Sequence, residues 1–248
     1  LSPGTLMHVG EESTAGTEIE LIMYDEQDLD IQHLSSPQSL TEYLRGKANV
    51  WIDVKGIHDP ALIRDIGQEF QIHSLILEDI LNTEHRPKLD QLEEYLFVSL
   101  KALAYQRESN GTGLQVEHLS LVMTADCLLS FQEVNQDKFQ PVKNRLAKIR
   151  SRHRRKGLDY LLYSLLDTAV DSYFVVLDHI GDYLEELEEE LVEDPGPETA
   201  QRIHGMKKDL IYFRKFVWPV REIVGKLRKQ EGELMGDGVR MYLDDLLD

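Results

Sequence analysis

The chain has 248 residues, of which 45 are acidic and 27 basic, so its formal net charge at pH 7 is −18. This acidity argues against nucleic acid or an anionic membrane surface as a partner of the molecule as a whole, and cations are its natural counterparts. The single cysteine, Cys127, excludes an intrachain disulfide and favours a reducing compartment. No stretch reaches the roughly 20 apolar residues that span a bilayer, and no secretory signal is present, so we expect the chain in the cytoplasm.

The first 157 residues alternate short β-like runs with helical patterns, which is typical of an α/β domain. We predict strands at 18–24, 50–54, 95–103, 117–123 and 127–131, and helices at 60–70, 74–81 and 138–155. Gly111 and Gly113 lie in a polar loop between two predicted strands, and this predicts a hairpin connection rather than a phosphate cradle.

From Leu158 the pattern changes to apolar residues at alternating steps of three and four, the spacing of a helix-packing seam. The first seam comprises Tyr163, Leu166, Val170, Tyr173, Leu177, Ile180, Leu184, Leu187 and Leu191. After Pro195-Gly196-Pro197 the second comprises Ile203, Met206, Leu210, Phe213, Val217, Val220, Val224 and Leu227. Two long helices should therefore pack antiparallel through these seams.

The first of these helices would be roughly 50 Å long at about 1.5 Å per residue, so we expect the hairpin to project from the core. Pro219 should bend the second helix locally. Glycines at 232, 236 and 238 then precede a third helix, which begins near Val239 and is cut at Asp248. We predict three parts: an α/β/α domain at 1–157, an acidic helical hairpin at 158–235, and the start of a stalk helix at 236–248.

The sequence lacks the usual catalytic and zinc-binding patterns. The nine histidines include no pair three to five residues apart, which argues against a tight zinc site. A Walker loop, a strand-to-helix GxGxxG, a GxSxG elbow and a Cys–His pairing are all missing, so no enzymatic activity is expected.

Two runs of like charge stand out. The basic run 150–156 is interpreted as a solvated helix end or an intersubunit salt-bridge patch rather than a nucleic-acid site, because no aromatic residues are interleaved with it. We interpret the acidic positions between Glu185 and Asp194 as a solvated face, and the alternative is a surface that concentrates cations.

Isolated carboxylates in apolar stretches are more suggestive. Glu78 and Asp79 interrupt a Leu- and Ile-rich helix, and Asp167 follows Leu165 and Leu166. Buried or half-buried carboxylates are unfavourable unless they are paired or bind a metal. The pattern alone favours helix capping or salt bridges for these residues and leaves a metal role as the second reading.

Several blocks resemble the CorA family of magnesium channels, in order and spacing, over essentially the whole chain. They are Pro3-Gly4-Thr5, Trp51-Ile52-Asp53 with Gly56-Ile57-His58, the run from His73 to Lys101, DYLLYSLLD from Asp159 to Asp167, and Trp218-Pro219 with Arg221-Glu222.

The resemblance implies an α/β/α sandwich with a mixed sheet, a long acidic hairpin and a stalk helix, assembled as a homopentamer at the cytoplasmic face of a cell membrane. It also implies a divalent-cation sensor between subunits, in which Asp79 of one subunit faces Asp245 of the next. Glu78 and Asp167 match a second cation position, and Asp248, one helical turn after Asp245, is a further candidate ligand. The implied ion is Mg²⁺, with Ca²⁺ or Co²⁺ able to take its place.

The two membrane helices and the Gly-Met-Asn pore motif of the family are missing from these 248 residues. The resemblance therefore implies the cytoplasmic portion of a longer membrane protein, which contacts the membrane only through the missing helices. Two alternatives stay open: the soluble domain of a related zinc transporter, and an intracellular helical interaction module with no role in transport.

Overall fold

The computed structural model describes residues 6–10, 16–37, 40–44, 49–106, 113–193, 196–230, 232 and 234–248. A seven-stranded mixed sheet lies between one pair of helices on one face and four helices on the other. The predicted α/β/α sandwich is therefore confirmed. The predictions made for Pro3-Gly4-Thr5, Gly111, Asp194 and Pro195 lie outside the described residues.

The sheet has the order β2-β1-β3-β7-β6-β5-β4. Its strands are β1 (Glu18–Tyr24), β2 (Leu29–Leu34), β3 (Asn49–Lys55), β4 (Lys88–Gln91), β5 (Leu96–Tyr105), β6 (Leu114–Met123) and β7 (Cys127–Gln132). The pairing of β3 with β7 is parallel, and the other neighbouring pairs are antiparallel. All five predicted strands are present, and β5 and β6 form the predicted hairpin.

The sequence analysis missed β2 and β4, which are the two edges of the sheet. Both are polar, with the sequences LDIQHL and KLDQ, and neither contains a fully buried residue. Edge strands receive less apolar burial than central ones, so their sequences lack the strong strand pattern of the core.

One face of the sheet is covered by α1 (Pro60–Glu69) and α2 (Ser74–Leu81), as predicted. Asp59 caps α1, since its carboxylate accepts hydrogen bonds from the backbone N–H groups of Ala61 and Leu62 at 2.9 and 3.2 Å. The apolar residues of α2, namely Ile76, Leu77, Ile80 and Leu81, are buried against the sheet. The two acidic residues of α2 are consequently fixed relative to the sheet.

The other face is covered by α3 (Gln140–Leu146), α4 (Leu158–Glu193), α5 (Pro197–Arg228) and α6 (Asp237–Asp245). The predicted helix 138–155 is wrong in its second half, where α3 ends at Leu146 and a short 3₁₀ turn follows at Arg152–Arg155. Arg154 of the basic run is buried and donates to the carbonyl oxygens of Leu146 and Gln27 at 2.7 and 3.1 Å. Part of the basic run therefore holds the connection in place and is not solvated.

The helix α4 begins at the predicted Leu158, but the seam prediction is only partly correct. Tyr173, Ile180 and Leu187 are buried, whereas Leu177, Leu184 and Leu191 are exposed by 41, 43 and 50% of their surface. The residues that complete the buried stripe are Val176 and Tyr183. A similar shift occurs in α5, where Ile203 and Leu210 are exposed and Phe216 and Ile223 are buried. The hairpin thus presents a second apolar stripe that nothing in the described residues covers.

In the described part of the chain, α4 is the one helix long and apolar enough to cross a membrane by length and composition. More than half of its most apolar window is buried within the protein. Its first half packs against β5, β6 and β7, with Leu161, Leu165 and Leu166 in the core. The apolar character of this first half is therefore accounted for by the core.

Pro219 lies inside α5, which continues to Arg228. The short helix α6 packs against α4 and α5 and buries Val239 and Leu243 in the same core. The acidic end of α6 is thereby placed beside the first half of α4.

Candidate metal centre

The helix α2 carries the first two predicted ligands. Its N-terminus is capped by the ring of His73, whose Nδ1 accepts from the N–H of Leu75 at 3.2 Å. Because the apolar residues of α2 face the sheet, Glu78 and Asp79 lie at the border of the core and both are half-buried. The helix ends at the C-cap residue Asn82, whose backbone N–H donates to the carbonyl oxygen of Glu78 at 2.9 Å.

Asp79 has basic partners within its own chain. Its Oδ2 lies 2.6 Å from Nζ of Lys88 on β4, and its Oδ1 lies 3.5 Å from Nε2 of His85. Lys88 also contacts Asp90 at 2.7 Å. Although burial opposes the charged form of Lys88, its hydrogen bonds to Asp79 and Asp90 raise the pKa of its ammonium group. The salt-bridge reading of Asp79 is therefore realised in the structure, and any metal ion bound there has to compete with Lys88.

Asp167 of α4 lies at a corner with an excess of negative charge. Its Oδ1 accepts a hydrogen bond from the hydroxyl of Tyr163 at 3.4 Å, and its Oδ2 lies 3.7 Å from the guanidinium of Arg145. Burial raises the pKa of the Asp167 carboxyl, and the charges of Asp171 and Asp245 raise it further, against the opposing effect of Arg145. The single guanidinium does not offset the three carboxylates.

Asp245 ends α6 and its side chain is exposed. Its charge reaches both Asp167 and Tyr163, and it contributes to the raised pKa of the Tyr163 hydroxyl, for which burial is the largest cause. Asp248 is also exposed and follows the end of α6. The structure therefore brings Asp167 and Asp245 into one neighbourhood.

The structure separates Asp79 from Asp245. The helix α2 belongs to the core on one face of the sheet, and α4 and α6 belong to the core on the other. Glu78 and Asp79 form one group of predicted ligands in each chain, and Asp167 and Asp245 form a second. An Asp79–Asp245 site would accordingly have to be assembled from two chains.

The sequence analysis missed a buried cluster of three carboxylates. Glu20 of β1, Asp53 of β3 and Asp137 offer oxygen atoms that all lie within 4.8 Å of one another, the only such three-residue group among the described residues. The ammonium of Lys143 lies among them, 2.6 Å from Oδ2 of both Asp53 and Asp137 and in contact with Oε2 of Glu20. A lysine already supplies the positive charge here, so a metal ion would have to displace Lys143 from all three carboxylates.

A faint sequence signal for this cluster existed. Glu20 interrupts the apolar run IELIMY, and Asp53 interrupts VWIDV. A buried carboxylate is unfavourable without a partner, so both positions indicate that a partner is nearby in the fold. Their shared partner, Lys143, is 90 residues away from Asp53, and no local pattern connects the two.

The comparisons with known proteins agree with this architecture. The family model described as "CorA-like Mg2+ transporter protein" matches residues 46–248. The cobalt/magnesium transport protein CorA of Thermotoga maritima is 38% identical over 248 residues, which are 100% of this chain and 70% of that protein. The chain belongs to the CorA family.

Other CorA relatives are more distant. The putative metal ion transporter YfjQ of Bacillus subtilis is 26% identical over 80% of this chain and 60% of its own length. The soluble domain of CorA from Methanocaldococcus jannaschii superposes with a TM-score of 0.76 and 19% identity, covering 96% of this chain and 88% of that domain. The cytoplasmic domain of ZntB from Vibrio parahaemolyticus shares the fold with a TM-score of 0.62 and 16% identity, over 94% of this chain and 93% of that domain. The fold is thus common to CorA and ZntB domains.

Proposed function

We propose that this chain is the cytoplasmic regulatory region of a CorA-type magnesium channel and that it senses Mg²⁺ through carboxylates shared between subunits. In this proposal Asp79 of one subunit and Asp245 of the next bind one ion. Glu78 and Asp167 contribute to a second, adjacent position, and Asp248 is an additional ligand. The channel is a homopentamer whose membrane helices follow the residues described above.

The observation that carries the proposal is the uncompensated negative charge of the α4–α6 corner. Burial raises the pKa of the Asp167 carboxyl there, and the charges of Asp171 and Asp245 raise it further. The buried Glu20–Asp53–Asp137 cluster has a lysine at its centre, whereas this corner has only Arg145 at 3.7 Å. A carboxylate group with so little positive charge of its own is a suitable site for an external cation.

The donor atoms suit magnesium. Mg²⁺ binds oxygen ligands, keeps several of its waters and commonly contacts only one or two carboxylates of the protein. Two carboxylates about 5 Å apart repel by roughly 3 kcal/mol at an effective dielectric of 20. A hydrated Mg²⁺ between two subunits removes this repulsion without needing a complete cage of protein ligands.

Lys88 sets the affinity of the site. Because Asp79 already has an ammonium 2.6 Å from Oδ2, the ion has to displace Lys88 or use Oδ1, which faces His85. Either route weakens binding relative to a free carboxylate. A sensor that responds only when free Mg²⁺ is abundant is the natural outcome of such competition.

The proposed mechanism is a shift between two states of the assembly. With Mg²⁺ bound, neighbouring subunits settle in a closed, symmetric arrangement. When Mg²⁺ leaves, repulsion between Asp245 of one subunit and Asp79 of the next loosens the interfaces and permits opening. The ion regulates by its higher affinity for the closed state.

The test uses the complete channel and its current as a function of cytoplasmic Mg²⁺. Asp79→Asn and Asp245→Asn should each raise the Mg²⁺ concentration for half-closure by about tenfold, the effect of about 1.4 kcal/mol. Asp90→Asn is the matched control, since Asp90 contacts the same Lys88 but is not a proposed ligand. An unchanged Mg²⁺ response in both the Asp79 and Asp245 variants would refute the proposal.

A further inference from the structure

Two histidines that are fifty residues apart in the sequence meet in the structure. Nδ1 of His58 lies 3.2 Å from Nε2 of His8, and the two rings are edge to face, with centroids 4.7 Å apart and planes at 87°. His8 belongs to the N-terminal segment 6–10, and His58 follows β3. Both side chains are half-buried.

The spacing of the two nitrogens is that of two ligands on one metal ion. Imidazole nitrogens bind Zn²⁺ and similar ions at about 2.0–2.1 Å, so two of them are about 2.9–3.4 Å apart for bond angles from 90° to tetrahedral. The observed 3.2 Å lies within this interval. In the metal-free chain this contact is a hydrogen bond, so one of the two nitrogens carries the shared proton. An ion would replace that proton once the ring changes tautomer, and both lone pairs could then point to a common position.

We propose that His8 and His58 form a two-imidazole binding site for a divalent transition-metal ion of the Co²⁺, Ni²⁺ or Zn²⁺ class. Imidazole favours these ions, whereas Mg²⁺ and Ca²⁺ prefer oxygen ligands. The site is therefore chemically distinct from the carboxylates of α2, α4 and α6. Waters complete the coordination, because this pair does not belong to any three-residue ligand group among the described residues.

The surroundings of the pair favour a bound cation. Burial lowers the pKa of His58, and the neighbouring His8 lowers it further, so the ring is neutral and able to bind a metal at pH 7. The carboxylate of Glu133 is close enough for its charge to act on His58 in the opposite direction. Glu133 thus supplies negative charge near the ion, while its Oε2 accepts from the N–H of His118.

The site would also connect the N-terminal segment to the end of α2. Val9 donates to the carbonyl of Leu81 at 3.0 Å and accepts from the N–H of Thr83 at 2.9 Å. Leu81 is the last residue of the helix that carries Glu78 and Asp79, and Thr83 follows that helix. An ion that binds both His8 and His58 would therefore hold the N-terminal segment against the end of α2. A regulatory effect of this contact rests on the proposed function, whereas binding of the ion does not.

The experiment titrates the 248-residue chain with Co²⁺ and follows the visible absorption of the bound ion. His8→Ala and His58→Ala should each weaken Co²⁺ binding at least tenfold. His204→Ala is the control, because His204 is an exposed histidine on α5. Asp79→Asn separates this site from the proposed magnesium sensor and should leave the Co²⁺ binding that depends on the two histidines unchanged, so that failure of either proposal is distinguishable.

A second readout needs no substitution. Co²⁺ is paramagnetic, and at substoichiometric amounts it should shift or broaden the ring proton resonances of His8 and His58 before those of the other seven histidines. The proposal is overturned if other histidines respond first. It is equally overturned if both alanine variants bind Co²⁺ like the wild type, or if Asp79→Asn removes binding while they do not.

Discussion

The ammonium of Lys143 lies 2.6 Å from Oδ2 of Asp53, and it occupies the centre of a buried group of three carboxylates. Burial opposes the charge on Lys143, but Asp53, Asp137 and Glu20 outweigh it and raise the pKa of the ammonium group. Asp53 is fully buried and also accepts from Ser130 and from Gln132 at 3.0 Å. Lys143 of α3 thereby fastens one helix layer to the centre of the sheet.

Replacing Lys143 should have a large effect. Lys143→Met removes the lysine partner of the fully buried Asp53, while Glu20 keeps Lys55 at 3.3 Å, and breaking a buried ion pair in this way destabilises by about 3–5 kcal/mol. At about 2–4 °C per kcal/mol for a chain of this size, we expect the melting temperature to fall by about 6–20 °C. Lys138→Met is the control, because Lys138 is more exposed than Lys143 and forms an ion pair with one carboxylate, that of Glu117 at 3.2 Å, instead of three.

The same variant should gain a cation site. With Lys143 absent, Glu20, Asp53 and Asp137 present three carboxylates to one point, so added Ca²⁺ or Mg²⁺ should recover part of the lost stability. The measurement is a titration of the melting temperature of the variant with each ion. Equal ion responses in the Lys143 and Lys138 variants would contradict this reading of the cluster.

Lys88 should act as an internal competitor of Mg²⁺. Lys88→Gln removes the ammonium that lies 2.6 Å from Asp79, so the carboxylate becomes available to an ion. We expect the Mg²⁺ concentration for half-closure of the complete channel to fall by about five- to tenfold, about 1 kcal/mol. Lys138→Gln, which removes the same charge away from α2, is the matched control. A higher Mg²⁺ requirement in Lys88→Gln would instead show that Lys88 helps to hold the site together.

Much of the fold could be predicted because its central elements have strong local patterns. The bounds of β1 and α2 agree with the prediction to the residue, and α4 begins at the predicted Leu158. The edge strands β2 and β4 were missed because they bury little, and α3 was extended too far because a helical pattern does not reveal that Arg154 turns inward. The seam of α4 was assigned by spacing alone, which cannot distinguish the stripe of Leu177 from that of Val176.

The residues of the candidate site could be predicted from the sequence, but their arrangement in space could not. Glu78, Asp79 and Asp167 stood out as carboxylates in apolar stretches, and the salt bridge expected for Asp79 is present. The proximity of Asp167 to Asp245 depends on how α6 folds back onto α4, which no local pattern specifies. The contacts of His8 with His58 and of Lys143 with Asp53 are equally nonlocal.

Asp167 should destabilise the metal-free chain at neutral pH. Its folded pKa is raised, so the folded state favours the protonated carboxyl, and stability is lost as pH rises from the unfolded pKa through the folded one. Asp167→Asn removes this loss and should raise the melting temperature at pH 7 by about 2–4 °C for about 1 kcal/mol. Asp178→Asn, an exposed change on the same helix, is the control. A melting temperature for Asp167→Asn that falls below wild type at pH 7 would contradict the argument.

Lys101 of β5 should produce a pH dependence of opposite sign. Its ammonium is buried, contacts the carbonyl of Thr83, and lies 3.1 Å from Nδ1 of His118. Burial is the largest cause of its lowered pKa of about 8. Between about pH 8 and the unfolded value of about 10.4, the unfolded chain binds a proton that the folded chain has released, so this residue makes stability rise with pH.

The test compares the wild type with Lys101→Met across this range. The difference in unfolding free energy between the two should grow in favour of the wild type by up to about 1.4 kcal/mol per pH unit, because one proton is involved. Lys207→Met is the control, since Lys207 is an exposed lysine on α5. Parallel stability–pH curves for the wild type and Lys101→Met would mean that the buried lysine keeps its proton throughout, held by Thr83 and His118 more strongly than burial disfavours it.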